Sequence, residues 1–308
     1  MRTATRGDRA GPAALYALYP IRRHGVRAAS STRRVLAGIV SEPVGLAAGA
    51  VVLAYVLAAA LAPAVVPYHP AANDLGARLS PPSRAHWFGT DALGRDVLSR
   101  TVYGARVSML VGVLTVGISA VAGTALGMLG AHYRAGVDLV GARLVEILQA
   151  FPYLIFAIGM MAFLGPGFWN LIWALALKGW IEFYRLSRGE TLAERNKEYV
   201  EAAHAIGFPT SWILLSEILP NIVNTVAVVA MLRLGYFMVL EASLSFLGVG
   251  IPPNIPAWGS MINEGRNVLY VAWWVSTVPG LALLVLVLAI NLLGERMREI
   301  LDPRARTA

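Results

Sequence analysis

Six stretches of this 308-residue sequence are apolar over at least about the 20 helical residues that a bilayer core requires. They run over about 43–66, 107–131, 143–164, 168–187, 219–246 and 272–294. Hydrophobic residues make up 57% of the chain and charged ones 14%, where a soluble domain carries about 25% charged. The expected class is therefore all-α: a polytopic membrane protein with about six transmembrane helices. Gly165-Pro166-Gly167 separates the third and fourth windows, and that run favours a turn over one continuous helix.

The net charge of +8 is unevenly placed. Arg2, Arg6, Arg9, Arg22, Arg23, Arg27, Arg33 and Arg34 all precede the first apolar run, as topology determinants do. No basic stripe is interleaved with base-stacking aromatics, so nucleic acid is not an expected partner. Ser31-Thr32-Arg33-Arg34 has a twin-arginine look and Ala60-Leu61-Ala62 is small enough to cleave. The preceding arm is long for a signal and further spans follow, so the first run is expected to be an uncleaved signal-anchor. With an inside amino terminus, the arm, Arg134, Arg143, the basic group from 185 to 197 and the tail arginines share one side. The other side keeps Arg78, Arg84, Arg95, Arg100, Arg106 and Arg266. Both termini are thus expected in the cytoplasm, with an unusually basic first external loop.

The chain has no cysteine, hence no disulfide or thiolate ligand. Histidines 24, 69, 86, 132 and 204 are scattered, and no metal site is expected.

The segment 188–218 is the largest internal loop. Glu198 to Ile206 is helix-compatible, Gly207 can adopt the left-handed stop, Pro209 bars continuation, and Thr210 or Ser211 can cap a second helix. Pro220 falls where a missing N–H costs least, in the first turn of span five. Ala202, Ala203 and Ala205 leave a face with little bulk, and Tyr199 and Ile206 offer apolar anchors. Such a stub suits a cleft on another protein, although an amphipathic helix lying on the inner leaflet has the same pattern.

Glu201-Ala202-Ala203, three further residues, Gly207, and then Leu219-Pro220 resemble the signature loop of binding-protein-dependent ABC importer permeases. The family's usual aliphatic position ten residues after the glycine is Glu217 here, followed by Ile218. The run from Phe88 through Gly89-Thr90-Asp91 to Gly94-Arg95-Asp96 and Arg100, then Gly104-Ala105-Arg106, is similar to the first external loop of C-type dipeptide, oligopeptide and nickel permeases. Ala150-Phe151-Pro152, Glu241 to Gly248, Trp258-Gly259 and Asn291 to Gly294 extend the likeness from about residue 40 to the end.

The resemblance implies a type I ABC importer permease fold in a bacterial inner membrane. It divides into a basic arm (1–42), a first helix with its external loop (43–106) and a permease core (107–308) carrying the coupling loop. It implies half of a translocation path for peptides of the dipeptide and oligopeptide class, paired with a homologous permease subunit, two ABC ATPase subunits and an extracytoplasmic substrate-binding protein. Tyr199, Glu201, Ala202, Ala203, Ile206, Gly207, Leu219 and Pro220 would couple to the ATPases, which would use ATP and Mg; Asp91, Arg95, Asp96 and Trp258 would meet the external partner. This chain has no glycine-rich phosphate loop ending in Gly-Lys-Ser/Thr, so it is expected to be no enzyme and to bind no cofactor.

Charges inside the spans are candidates for the path. Lys178 and Glu182 are one helical turn apart, allowing an intrahelical pair that either lines the path or faces the sister subunit. Arg233 and Glu241 in span five are imperfectly aligned but are further candidates, and Glu146 is expected to pair locally with Arg143. A self-contained ion-driven secondary transporter or channel is the alternative class; it would call for internal repeats and broken helices, and neither is visible in the sequence.

Overall fold

A computed structural model describes residues 37–133 and 136–301. The basic arm up to residue 36, with its twin-arginine stretch, Arg134 and the tail arginines 304 and 306 lie outside these residues. Among the described residues the regular elements are helices, joined by one isolated antiparallel bridge between Thr90 and Asp96. In lipid every backbone N–H and C=O must be satisfied within its own segment, which long apolar helices accomplish.

Helix α1 spans Pro43–Ala60, α2 Val97–Tyr133, α3 Gly136–Gln149, α4 Tyr153–Leu164 and α5 Phe168–Glu194. They are followed by α6 Glu198–Ile206, α7 Leu219–Phe246, α8 Trp258–Arg266 and α9 Trp274–Leu301. Four runs are long and apolar enough to cross a bilayer: α1, α2, the run Thr210–Phe246 that contains α7, and α9. The third window is not the straight span expected. It is broken at Ala150-Phe151-Pro152, where the two helices meet at 92°, because Pro152 cannot continue the ladder of α3. The bundle therefore does contain a broken helix. The fourth window is α5, 27 residues long, whose Lys178, Glu182, Arg185 and Arg188 lower its hydropathy and whose apolar side is enclosed by its neighbours.

Two boundaries shift. Helix α2 begins at Val97, so the division at 106/107 falls inside a helix, and α5 continues through Glu194, shortening the internal loop. From Thr210 the chain stays helical, through a π-helical stretch Ile213–Ile218, straight into α7. Pro220 does lie in the first turn of α7, yet the helical run starts ten residues earlier. Proline lacks the N–H and crowds the carbonyl four residues back. The wider spacing, in which the Leu219 amide donates to the Leu214 carbonyl, accommodates it.

The most extensive contact in the bundle is between α2 and α5, and it is close. A Cβ on Gly123 would lie 2.3 Å from the Trp180 carbonyl oxygen, and one on Gly127 would lie 2.5 Å from that of Tyr184. Glycines four residues apart let two helix backbones touch, the usual solution where lipid supplies no hydrophobic force between helices. On the elbow side of the fold, Arg296 of α9 pairs with Glu42 at 2.6 Å, so the start of α1 and the end of α9 lie side by side.

Replacing Gly123 or Gly127 by leucine should destabilise the detergent-solubilised protein by about 1–3 kcal/mol or more, read as a lower thermal midpoint and loss of monodisperse yield. Gly117→Leu on the open side of the same helix, where a Cβ meets nothing within 4 Å, should leave both unchanged.

Candidate functional site

The elbow is built as its residues dictate. Glu198 and Glu201 lie in the first turn of α6, where carboxylates favour the helix dipole. Gly207 closes the helix at φ +92°, in the left-handed region. The Gly207 amide donates to His204 (3.0 Å) and the Phe208 amide to Ala203 (3.1 Å), the paired bonds of a Schellman stop. Pro209 precedes the next helical run, and neither Thr210 nor Ser211 supplies a side-chain cap. The backbone starts there with proline's fixed φ instead.

One face of α6 is bolted inward. Val200, Ala203 and Phe208 are buried with Met128, Ile213 and Ile222. The Tyr199 hydroxyl donates to Glu194 Oε2 at 2.5 Å and accepts from Asn221 Nδ2 at 3.2 Å. Burial, and then the carboxylate of Glu194, push the phenol well above its ordinary range, so it remains a donor. Arg195 donates to the Ala131 carbonyl at the end of α2 at 2.9 Å, and the rings of His132 and His204 stack at 6.5 Å. The other face is open: Glu201, Ala202, Ala205, Ile206 and Gly207 are exposed. Tyr199 and Ala203 thus serve as inward anchors and not, as expected, as part of the open face, while Leu219 and Pro220 are half-buried. Leu215 is 62% exposed beside the elbow, and the motif did not single it out.

At the other end of α2, the candidates for external contact are largely interior. Asp91 is 1%, Asp96 3% and Trp258 0% exposed. Asp91 accepts from Arg95 Nε at 2.6 Å and from Arg100, and both arginines reach Glu264 of α8, at 2.7 and 2.6 Å. Asp96 caps α2, accepting from the Ser99 amide at 2.8 Å, and holds His86 at 2.9 Å. The indole of Trp258 donates to the Thr101 carbonyl at 2.9 Å and that of Trp274 to Thr90 at 3.1 Å. The motif therefore clamps the loop to α8. Glu264, far off in sequence, carried no signal for this role. Trp169, Trp173 and Trp273 are exposed, as interfacial rings are.

The intramembrane charges pair differently from the expectation. Lys178 donates to the Phe151 carbonyl at the helix break and lies over the rings of Tyr153 (5.4 Å) and Phe156 (5.7 Å). Glu182 instead pairs across helices with Arg233 of α7. With the Lys178 ammonium taken by the Phe151 carbonyl, Glu182 is left to the guanidinium of the facing helix. Glu241 is fully buried and accepts from Ser245 at 2.8 Å, so it does not share a cavity with Arg233. Arg143 and Glu146 form the expected local pair, at 2.7 Å. Among the described residues no group of three or more His, Asp or Glu is placed to hold a metal ion.

Gly207→Val should destabilise the folded chain by about 1–2 kcal/mol, the left-handed penalty, whereas Gly207→Asn should cost less. Asp91→Asn should cost about 1–3 kcal/mol, because it weakens two charge-assisted bonds and leaves Glu264 alone to neutralise both Arg95 and Arg100. Chemical or thermal unfolding in detergent measures both.

Residues 123–307 match the family described as binding-protein-dependent transport system inner membrane component, and residues 30–82 match the N-terminal TM domain of oligopeptide transport permease C. The chain is 38% identical over 268 residues to a glutathione transport system permease protein of Pectobacterium atrosepticum, covering 86% of this chain and 89% of that one. It is 41% identical over 225 residues to the corresponding protein of Escherichia coli (73% and 74%), and 39% identical over 254 residues to a putative peptide transport system permease protein of Brucella suis (82% and 86%).

Proposed function

Because this chain belongs to the family of binding-protein-dependent transport system inner membrane components, we propose that it forms half of a peptide translocation path in an importer powered by separate ATPase subunits. The observation that carries this reading is the two-faced elbow. Its open face presents Glu201, Ala202, Ala205, Ile206 and Gly207, with too little bulk to hold a neighbour away. Its inner face is tied to α2, α5 and α7 through Arg195, Tyr199 and Asn221. A partner seated on the open face therefore pulls on three spans at once.

The mechanism is a two-state one. ATP closes a motor dimer, the docked elbows move with it, and the spans rock so that the path opens outward; hydrolysis resets it. The elbow contact must differ in strength between the states, since equal affinity shifts no equilibrium. In this scheme the elbow and both termini are cytoplasmic, in a bacterial inner membrane, and a homologous permease completes the path. Lys178, Glu182 and Arg233 line it, and Glu241 serves as a buried support. The clamp of Asp91, Arg95, Asp96, Arg100 and Trp258 rigidifies the outer face that receives a substrate-binding protein. Peptides as the transported class come from the named relatives. ATP and Mg belong to the motor subunits.

The broken α3–α4 span also suits an ion-driven carrier, and one experiment separates the two. In the importer, the chain co-purifies with ATPase subunits, and uptake into membrane vesicles requires ATP. Gly207→Val, with insertion and expression retained, should abolish uptake and the substrate-stimulated part of ATP hydrolysis. Normal uptake by that variant, or uptake by the chain alone on an ion gradient, would refute the scheme.

A further inference from the structure

A small cavity lies at the broken span, lined by Gln149 at the end of α3, Tyr153 at the start of α4, Lys178 and Glu182 of α5 and Tyr236 of α7. Arg233 closes on it by pairing with Glu182, with its guanidinium 5.3 Å from the Tyr236 ring centre. The side chains of Arg233 and Glu182 remain 36% and 41% exposed, although they sit near the middle of α7, whose run is long and apolar enough to cross a bilayer, and of α5 packed against it. Charges at such depth face a bundle interior or a water-filled cavity and carry partners. Substrate sites of membrane carriers form at interrupted helices, whose freed carbonyls take up a cation. Here the Phe151 carbonyl takes the Lys178 ammonium.

We propose that the Glu182–Arg233 pair is a resting form of a binding point for zwitterions. The ammonium end of a solute takes Glu182 while its carboxylate end takes Arg233, supported by the neighbouring charge of Lys178. The exchange is two for two: the pair opens only when each member gains a new, charge-assisted partner, so no ion is left alone at membrane depth. A solute with a single charge would strand one member. The aromatic walls, Tyr153 and Tyr236 at 5.8 Å edge to face, leave apolar surface for whatever joins the two charged ends. This inference rests on the importer reading above and adds to it a chemical class for the solute and the residues that distinguish its two ends.

The chain has no native cysteine, so a single introduced thiol reports its own surroundings. In the full complex, Glu182→Cys leaves Arg233 without its partner, and Arg233→Cys leaves Glu182 without its own. Each variant is treated separately with an anionic sulfonatoethyl and a cationic trimethylammonioethyl methanethiosulfonate, and modification is read by mass spectrometry of this chain. The anionic reagent should be faster at position 182 by about tenfold, the size of a screened single-charge preference, and the order should reverse at position 233. Gln149→Cys leaves all the charges in place and should react with both reagents, which keeps the test alive if a charge variant fails to assemble. Equal rates for the two reagents, the same order at 182 and 233, or a position 149 closed to both would overturn the proposal. Wild-type ATP-dependent uptake is measured in parallel: if it is absent, the importer reading fails, whereas if it is intact with the wrong reagent order, only the zwitterion site fails.

Discussion

The touching backbones of α2 and α5 are the constraint on which the rest depends. Lipid is as apolar as leucine, so helices in a bilayer gain little by hiding side chains from it and must gain by close packing. Gly123 and Gly127 permit that approach. Helix α2 is 37 residues long, which at 1.5 Å per residue is about 55 Å. It therefore reaches from the charged clamp around Asp91 to the carbonyl of Ala131 that receives Arg195. Helix α5, held against it, delivers Glu182 to Arg233 midway and Glu194 to Tyr199 at the elbow. A shift in this contact would be felt at all three places.

Charge is handled in three ways along that axis. At the Asp91 clamp, two arginines and two carboxylates neutralise one another in a nearly dry setting, an arrangement that does more to specify geometry than to add stability. Midway, a single pair between α5 and α7 stays partly open, the kind of site where partners can be exchanged. At the elbow, Glu194 gathers Lys197 and Tyr199 while the outward face keeps its small residues free. Two closely paired ends thus flank a partly open middle.

Much of this was legible in the sequence. Window lengths and the scarcity of charge dictate membrane helices, and Gly207 with Pro209 marks the bend because few other residues accept that backbone. The Glu201-Ala202-Ala203 and Gly89-to-Asp96 runs are local patterns, and local patterns survive reading along a chain. Less was visible in the role of each residue. Asp91, Asp96 and Trp258, expected to meet an external partner, are instead buried: Arg95 and Arg100, themselves held by remote Glu264, take Asp91, Ser99 and His86 take Asp96, and the Thr101 carbonyl takes the Trp258 indole. Lys178 and Glu182 satisfy the spacing of a helical pair but bond elsewhere.

The sequence by itself determined the membrane class, the family and the site of the elbow, since hydropathy and turn chemistry act over a few neighbouring residues. Only the tertiary structure decided which charges meet, which face of α6 is open, and that the third run bends by 92°. Those outcomes depend on energies shared between helices, and an ion pair across a bundle leaves no trace in the spacing of either partner.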